Sequence, residues 1–367
     1  MQTTLYLNIP TIGITGSFGK TTVKEITAAI LSVKYETYKS PKNFNLVDQT
    51  KKHVKNINDE HEVVVIEMAM SKKNRGKRQC TVIQPNIGVI TAVGHAHFER
   101  FSSIKDVALS KSEMMKYMKP EGTLYLSNDD ENSKLVDTQY FPGEIIKVGL
   151  SEGSDYRATN IRFNKKGMEF EVVLNGKSEA MFVPLLGEHS VVNSLFAIGI
   201  ADKLGLTPDE IREGLGRVEL PRGRLTLDYL EGNRTLIDDS YNANPVSMVS
   251  GLKVLNEYID SPNKIALLGD MAEMGSYTRE GHEKVGKSLI DFTLDKVFLY
   301  GDSSKWILKK AEETGFPKEK LFHFDDIESL IEEIEKSYSA DTALLVKASR
   351  ATKLDQVVKH LLSKYSI

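Results

Sequence analysis

The chain has one cysteine, Cys80, which excludes an internal disulfide and any multi-cysteine zinc or iron–sulfur centre. A reducing, cytoplasmic setting fits that scarcity. The opening residues, MQTTLYLNIP, lack the basic head and long apolar run of a secretory signal. The longest uncharged apolar stretch in a helical pattern, Leu195 to Ala201, is far too short to cross a bilayer, so no membrane partner is expected. There is no excess of one charge sign. The 48 Lys and Arg stand against 51 Asp and Glu, which removes nucleic acid as the expected main partner. No internal repeat, low-complexity tract or long linker breaks the chain.

At 367 residues the chain exceeds the usual size of one hydrophobic core, so two domains are expected. Short apolar runs at Ile12–Thr15, Val63–Ile66, Ile87–Thr91, Ile265–Leu268, Val297–Tyr300 and Ala343–Val346 read as strands. Helical patterns follow several of them, as in Val23, Ile26, Ile30 and Val33 after Lys20. Strands alternating with helices predict a parallel sheet covered on both faces. From Ile161 to Val183 the residues alternate instead, with turn signals at Asn175-Gly176 and Lys166-Gly167. That pattern predicts a small antiparallel sheet beside the main one. Thr207-Pro208-Asp209-Glu210 carries an N-cap, a first-turn proline and a capping-box glutamate, and opens a helix ending near Gly216. Pro221-Arg222-Gly223-Arg224 has the residues of a joint and precedes fresh strand–helix alternation. The domains are therefore placed at 1–222 and 223–367.

The strongest chemical signal is Thr15-Gly16-Ser17-Phe18-Gly19-Lys20-Thr21-Thr22, which follows a strand and opens a helix. Glycines let backbone N–H groups close around phosphate, and the helix start adds positive potential. Lys20 can reach terminal phosphates, and the Thr21 hydroxyl can hold Mg²⁺. Ile14 stands where the strict G-x-x-x-x-G-K-[ST] pattern wants its first glycine. Other candidates are ambiguous when taken singly. Glu67 reads as a solvated strand end, Lys111 as a surface helix residue and His97 as a loop histidine.

The loop T-G-x-x-G-K-T-T resembles that of the Mur ligase family, and further matches follow in family order. Glu67 in VVVIEMAM, His97 in PNIGVITAVGHAHFERFSS and Lys111 in ALSKSEMM are similar to the family's metal-site segments, with Lys111 matching the lysine that is carbamylated there. His189 and Asn193 in GEHSVVNSLFAIGIA match a helix start facing the nucleotide. In the second half, Asp238-Asp239-Ser240-Tyr241-Asn242-Ala243-Asn244-Pro245, Gly269-Asp270-Met271-Ala272-Glu273-Met274-Gly275 and Val346-Lys347-Ala348-Ser349-Arg350 resemble the branch that adds D-alanyl-D-alanine in peptidoglycan precursor synthesis.

The resemblance implies an α/β fold. A P-loop central domain would carry a mostly parallel sheet plus a small antiparallel sheet, followed by a Rossmann-like α/β C-terminal domain. It implies an ATP-dependent acid–amino acid ligase working through an acyl phosphate, with ATP and Mg²⁺ as cofactors and a small-molecule acid and an amino acid or dipeptide as substrates. Lys20, Lys111 and His97 would be catalytic. Gly16 through Thr22, His189, Asn193, Arg224 and Asp239 would bind ATP. Thr21, Glu67, His97 and carbamylated Lys111 would bind metal, and Asn242, Asn244, Lys347, Ser349 and Arg350 the amine substrate. The phosphate loop begins at residue 15, where the family has a UDP-sugar-binding domain first. A partner protein supplying that domain is therefore also an expectation.

Two relatives offer other substrates: cyanophycin synthetase, whose ATP-grasp half has no counterpart here, and folylpolyglutamate synthase, whose loop reads G-K-G-S. A nucleotide-binding subunit without activity is a third alternative. One feature stands outside the pattern. Lys72, Lys73, Arg75, Lys77 and Arg78 crowd a single stretch, with Lys77 where the family has an acidic residue. This reads either as a solvated basic loop or as an attractor of an acidic substrate or partner.

Overall fold

The computed structural model describes residues 7–95, 98–164 and 166–366. The chain divides into two compact units, Met1–Glu219 and Leu220–Ile367.

The first unit runs β1 (Thr11–Thr15), α1 (Lys20–Leu31), β2 (Thr37–Lys39), α2 (Val47–Val54), β3 (Val63–Glu67), α3 (Arg75–Val82), β4 (Ile87–Ile90), α4 (Ile104–Tyr117), β5 (Thr123–Ser127), β6 (Glu144–Gly149), β7 (Tyr156–Asn164), β8 (Gly167–Leu174), β9 (Lys177–Val183), α5 (Glu188–Lys203) and α6 (Pro208–Gly216). The strands form one sheet in the order β2-β3-β1-β4-β5-β6-β7-β8-β9. Pairs from β2 to β7 are parallel, and β7, β8 and β9 are antiparallel. The alternating segment is therefore joined to the main sheet rather than separate from it. Its seam is short, with Val148 against Tyr156 and Gly149 against Arg157. Asn175 and Gly176 both have positive φ, as the hairpin turn requires. Gly167 opens β8 rather than making the turn.

The central strands explain themselves. β1, β3 and β4 are runs of small and β-branched residues, buried along their whole length, which suits a sheet covered on both faces. β1 sits between β3 and β4. The chain therefore builds outward on one side and then returns to the other, leaving a topological switch point beyond Thr15. Helix α1 packs against α5 and α6. Gly214 permits the closest approach, since a Cβ there would lie 2.3 Å from Ile30 Cα. The α6 cap is as predicted, with Thr207 Oγ1 accepting from Glu210 N and the Glu210 carboxylate accepting from Thr207 N. Val33 falls beyond the end of α1, in a turn.

The second unit runs β10 (Thr226–Leu230), β11 (Arg234–Asp239), α7 (Pro245–Glu257), β12 (Asn263–Gly269), α8 (Thr278–Ser288), β13 (Lys296–Tyr300), α9 (Lys305–Glu313), β14 (Leu321–Phe324), α10 (Ile327–Ser337), β15 (Thr342–Lys347) and α11 (Asp355–Tyr365). Its sheet has the order β10-β11-β15-β12-β13-β14, parallel except for the β10–β11 edge. Leu330 and Ile334 of α10 and Val357 and Leu361 of α11 join Leu344 and Val346 of β15 in one core. Burying each such side chain contributes about 1.5–3 kcal/mol. Cys80, on the inner face of α3, is 2% exposed, and burial pushes its thiol up to about 12.

Candidate active site

The phosphate loop leaves β1 at the switch point, at the carboxyl edge of the sheet. Its two glycines are dictated by geometry. Gly16 has φ 149°, and a Cβ there would sit 1.9 Å from Thr91 Oγ1; Gly19 has φ 80° at the start of α1. Ser17 ties the loop to the segment after β4, its hydroxyl donating to Gly94 O and accepting from Gly94 N, both at 2.9 Å. Phe18 lies against Gly94, where a Cβ would meet its ring at 2.4 Å. Lys20 Nζ donates to Gly16 O at 2.8 Å, so its ammonium lies over the loop. Thr22 follows, half-buried on α1.

Thr21 and Glu67 meet directly. The Thr21 hydroxyl donates to Glu67 Oε2 at 2.7 Å, and Asn45 Nδ2 donates to Oε1 at 2.7 Å. Glu67 is 1% exposed, so the reading of a solvated strand end is corrected. A buried carboxylate is sustained by such bonds on both oxygens, each worth about 1.5–3 kcal/mol when one partner is charged. Asn45 is held in turn by Gln79, whose Nε2 donates to Asn45 O at 2.5 Å and whose Oε1 accepts from Thr50 Oγ1 at 2.6 Å. Lys24, one turn along α1 from Lys20, is fully buried, and its Nζ donates to Ser40 O at 2.9 Å and to Lys42 O. Burial lowers its pKa, while Glu25 and Glu67 draw it back. Lys24 was missed in the sequence because it acts across a loop distant in the chain, and Asn45 was given no role there. Lys24 did carry a faint signal, being in helical register with the buried Ala28 and Leu31.

Lys111 is 2% exposed, which overturns its reading as a surface residue. Burial first, and the charge of Lys20 second, lower its pKa to about 7. Its neighbour Ser110 donates toward Met70 O and Lys72 O at 3.1 and 3.3 Å, tying α4 to the segment after β3. His97 lies outside the described residues. His95 lies against Phe98, the rings tilted with centroids 4.8 Å apart. Asn193 on α5 comes to the phosphate loop, its Oδ1 lying 2.8 Å from where a Gly19 Cβ would be. His189 is exposed in the first turn of the same helix.

The second unit gathers its candidates at the carboxyl ends of β11 and β15. Lys347 Nζ donates to Asp239 Oδ2 at 2.6 Å and to Asn242 O at 3.1 Å. Arg224 lies 4.4 Å from the Tyr241 ring centre and Arg350 5.8 Å, so both guanidinium groups address one aromatic ring. Ser349 Oγ accepts from Ala272 N at 2.8 Å. Asn242 is exposed. Asn244 has a local duty, capping α7 by accepting from Ser247 N at 3.0 Å. His282 is fully buried, accepting from Met271 N at 3.1 Å, which makes its Nδ1 the donor to Thr278 O at 2.6 Å. Burial lowers its pKa.

A glycine cradle at a switch point, a buried threonine–carboxylate pair beside it and a second parallel α/β unit define a nucleotide-using, two-domain α/β enzyme. Comparison with known proteins gives the lineage. Residues 14–201 match the Mur ligase middle domain and residues 223–350 the Mur ligase glutamate ligase domain. The UDP-N-acetylmuramoyl-tripeptide–D-alanyl-D-alanine ligase of Synechocystis is 33% identical over 360 residues, covering 97% of this chain and 75% of that protein. The enzyme of the same name from Bacillus subtilis is 29% identical, covering 96% and 75%. A crystal structure of MurF from Acinetobacter baumannii superposes with a TM-score of 0.86 at 26% identity, covering 97% of this chain and 77% of that one. The chain belongs to the Mur ligase family. Its reaction class is ATP-dependent carbon–nitrogen ligation.

Proposed function

We propose that this ligase joins the terminal carboxylate of a UDP-muramoyl tripeptide to the amine of D-alanyl-D-alanine, with Mg-ATP as energy source, in the cytoplasm. The observation that carries the reading is the Thr21–Glu67 contact at 2.7 Å beneath the glycine cradle. The names and coverage of the relatives support the substrate pair. Residues 1–222 form the ATP-binding domain and 223–367 the domain that presents the amine.

The substrate carboxylate attacks the γ-phosphorus of ATP, releasing ADP and leaving an acyl phosphate. The dipeptide amine then attacks the acyl carbon, phosphate departs and the amine loses a proton. Backbone N–H groups of Gly16 to Thr22 hold the phosphates, and Lys20 neutralises charge as it builds on the transferred group. Asn193, His189, Arg224 and Asp239 are the residues this reading assigns to nucleotide binding. The donor set suits a divalent cation, since the Thr21 hydroxyl and the Glu67 carboxylate meet where both side chains are buried. Thr21, Glu67, His97 and carbamylated Lys111 would hold Mg²⁺, which supplies charge neutralisation on the phosphoryl oxygens. A Lys111 pKa of about 7 leaves much of the amine neutral and able to add CO₂, losing a proton to become a carbamate. Lys347, Ser349, Arg350 and Asn242 orient the amine substrate.

The test is ADP release with acid and amine varied independently. The expected result is turnover only when UDP-muramoyl tripeptide and D-alanyl-D-alanine are both present. ADP release that ignores both substrates would reject the reading.

A further inference from the structure

The basic stretch noted in the sequence is helical at its end rather than looped. Arg75, Lys77 and Arg78 lie on α3, whose buried face is made by Gly76, Gln79, Cys80 and Val82. Gln79 is fully buried, at a position where a methionine would fill similar space. Burying an amide costs free energy unless its polar atoms find partners. Here they do, and neither partner belongs to α3. Asn45 O can only accept, so the Gln79 atom 2.5 Å from it is the amide nitrogen. Gln79 Oε1 then accepts from Thr50 Oγ1 of α2 at 2.6 Å, and Thr50 is fully buried too.

The segment between β2 and α2 is held this way along its length, its carbonyls taken by buried side chains from three helices. Lys24 of α1 donates to Ser40 O and Lys42 O, His53 of α2 donates to Phe44 O at 2.7 Å, and Gln79 of α3 donates to Asn45 O. Phe44 and Leu46, on either side of Asn45, are exposed, so burial of their own side chains does little to fix the segment. What these bonds hold in place is the Asn45 carboxamide. It donates to Glu67 Oε1, while Thr21 donates to Oε2. Ala69 N also donates to Asn45 O, at 2.9 Å, so the main chain keeps one anchor when Gln79 is replaced.

We propose that Gln79, oriented by Thr50, is a positioning residue for metal binding: it fixes Asn45 so that the carboxamide occupies Glu67 Oε1 and leaves Oε2, the oxygen that meets Thr21, for the cation. The assignment rests on the cation site of the function proposed above. A ligating carboxylate free to turn must be oriented as the metal binds, and hydrogen bonds behind it remove that cost in advance. Gln79 stands one step further from the cation than Asn45. Its loss therefore loosens the ligand without deleting it.

The affinity of the full chain for a non-hydrolysable ATP analogue would be measured by calorimetry in excess Mg²⁺ and again in EDTA. The ratio of the two affinities reads the metal's share, and comparing ratios between variants cancels the effect of Mg²⁺ on free nucleotide. In Gln79→Met the ratio should fall roughly tenfold, with the affinity in EDTA unchanged. Thr50→Val should lower the ratio as well, and Thr50→Ser, which keeps the hydroxyl, should retain it. That pair carries the test if Gln79→Met fails to fold by circular dichroism. In turnover, the Mg²⁺ concentration for half-maximal rate should rise by a similar factor, with kcat recovered at saturating Mg²⁺. Folded variants with the wild-type ratio would overturn the assignment and leave the proposed function standing. Equal losses in Mg²⁺ and in EDTA would also overturn it, since a purely structural role weakens both. A wild type whose affinity ignores Mg²⁺ would reject the cation site itself, and this assignment with it.

Discussion

Lys347 and Asp239 are lateral neighbours in the parallel ladder of β15 and β11, and their side chains close a 2.6 Å ion pair at the carboxyl edge of the sheet. Lys347 is 1% exposed and Asp239 17%. The sequence reading assigned the two residues to different ligands, nucleotide and amine, yet they form one unit. Under the proposed function, the pair opens or accepts a shared ligand when either substrate arrives.

The first prediction follows from that burial. Asp239→Asn leaves the Lys347 ammonium with only neutral partners and should cost about 2–4 kcal/mol in urea denaturation. Lys347→Met, which removes the buried charge itself, should cost clearly less. Equal losses would show that the pair's charges are unimportant to folding.

Lys20→Ala should reduce turnover by about three orders of magnitude. Its ammonium lies over the loop rather than in the core, so thermal melting of the free protein should move by no more than about 2 °C. Steady-state ADP release and a melting curve test both halves of the claim.

Lys111→Ala should abolish ligation, and added short carboxylates such as acetate should restore part of it. Restoration by acetate but not by a short amine would identify a carboxylate as the missing group. An active variant in carboxylate-free buffer would refute the carbamate.

His282 gives a pH dependence. Its neutral ring accepts from Met271 N, and its folded pKa lies below the unfolded value. Stability from this group is present above the unfolded pKa of about 6.5 and lost as pH falls below it, because the unfolded chain binds the proton first. Losing the Met271 bond in acid costs about 1–3 kcal/mol. The wild type should therefore lose more stability between neutral pH and mild acid than His282→Gln does.

Much of the fold was legible. Strands β1, β3, β4, β12, β13 and β15 are mostly buried apolar runs, and the α6 cap could be read residue by residue. Strands β2 and β14 were not seen, since three or four residues at the edge of a sheet carry little period. The buried strand Thr123–Ser127 was missed as well. Within the site, the glycine loop was visible because local backbone demands select its residues. Lys111 illustrates a signal present but underused. It falls in one helical stripe with Val107, Ala108, Met114 and Met115, all buried, so its burial was written in the spacing. Lys24 carried the same kind of stripe more faintly, with Ala28 and Leu31, but Asn45 could not be found that way, because its partners lie across loops whose path the sequence does not reveal.

Cys80 has a practical meaning. A thiol this well shielded stays inert toward maleimide dyes in the folded protein, so the natural chain behaves as a cysteine-free background. One surface cysteine introduced in each unit would then accept donor and acceptor fluorophores cleanly. Energy transfer between them would follow the spacing of the two halves, molecule by molecule, through a catalytic cycle.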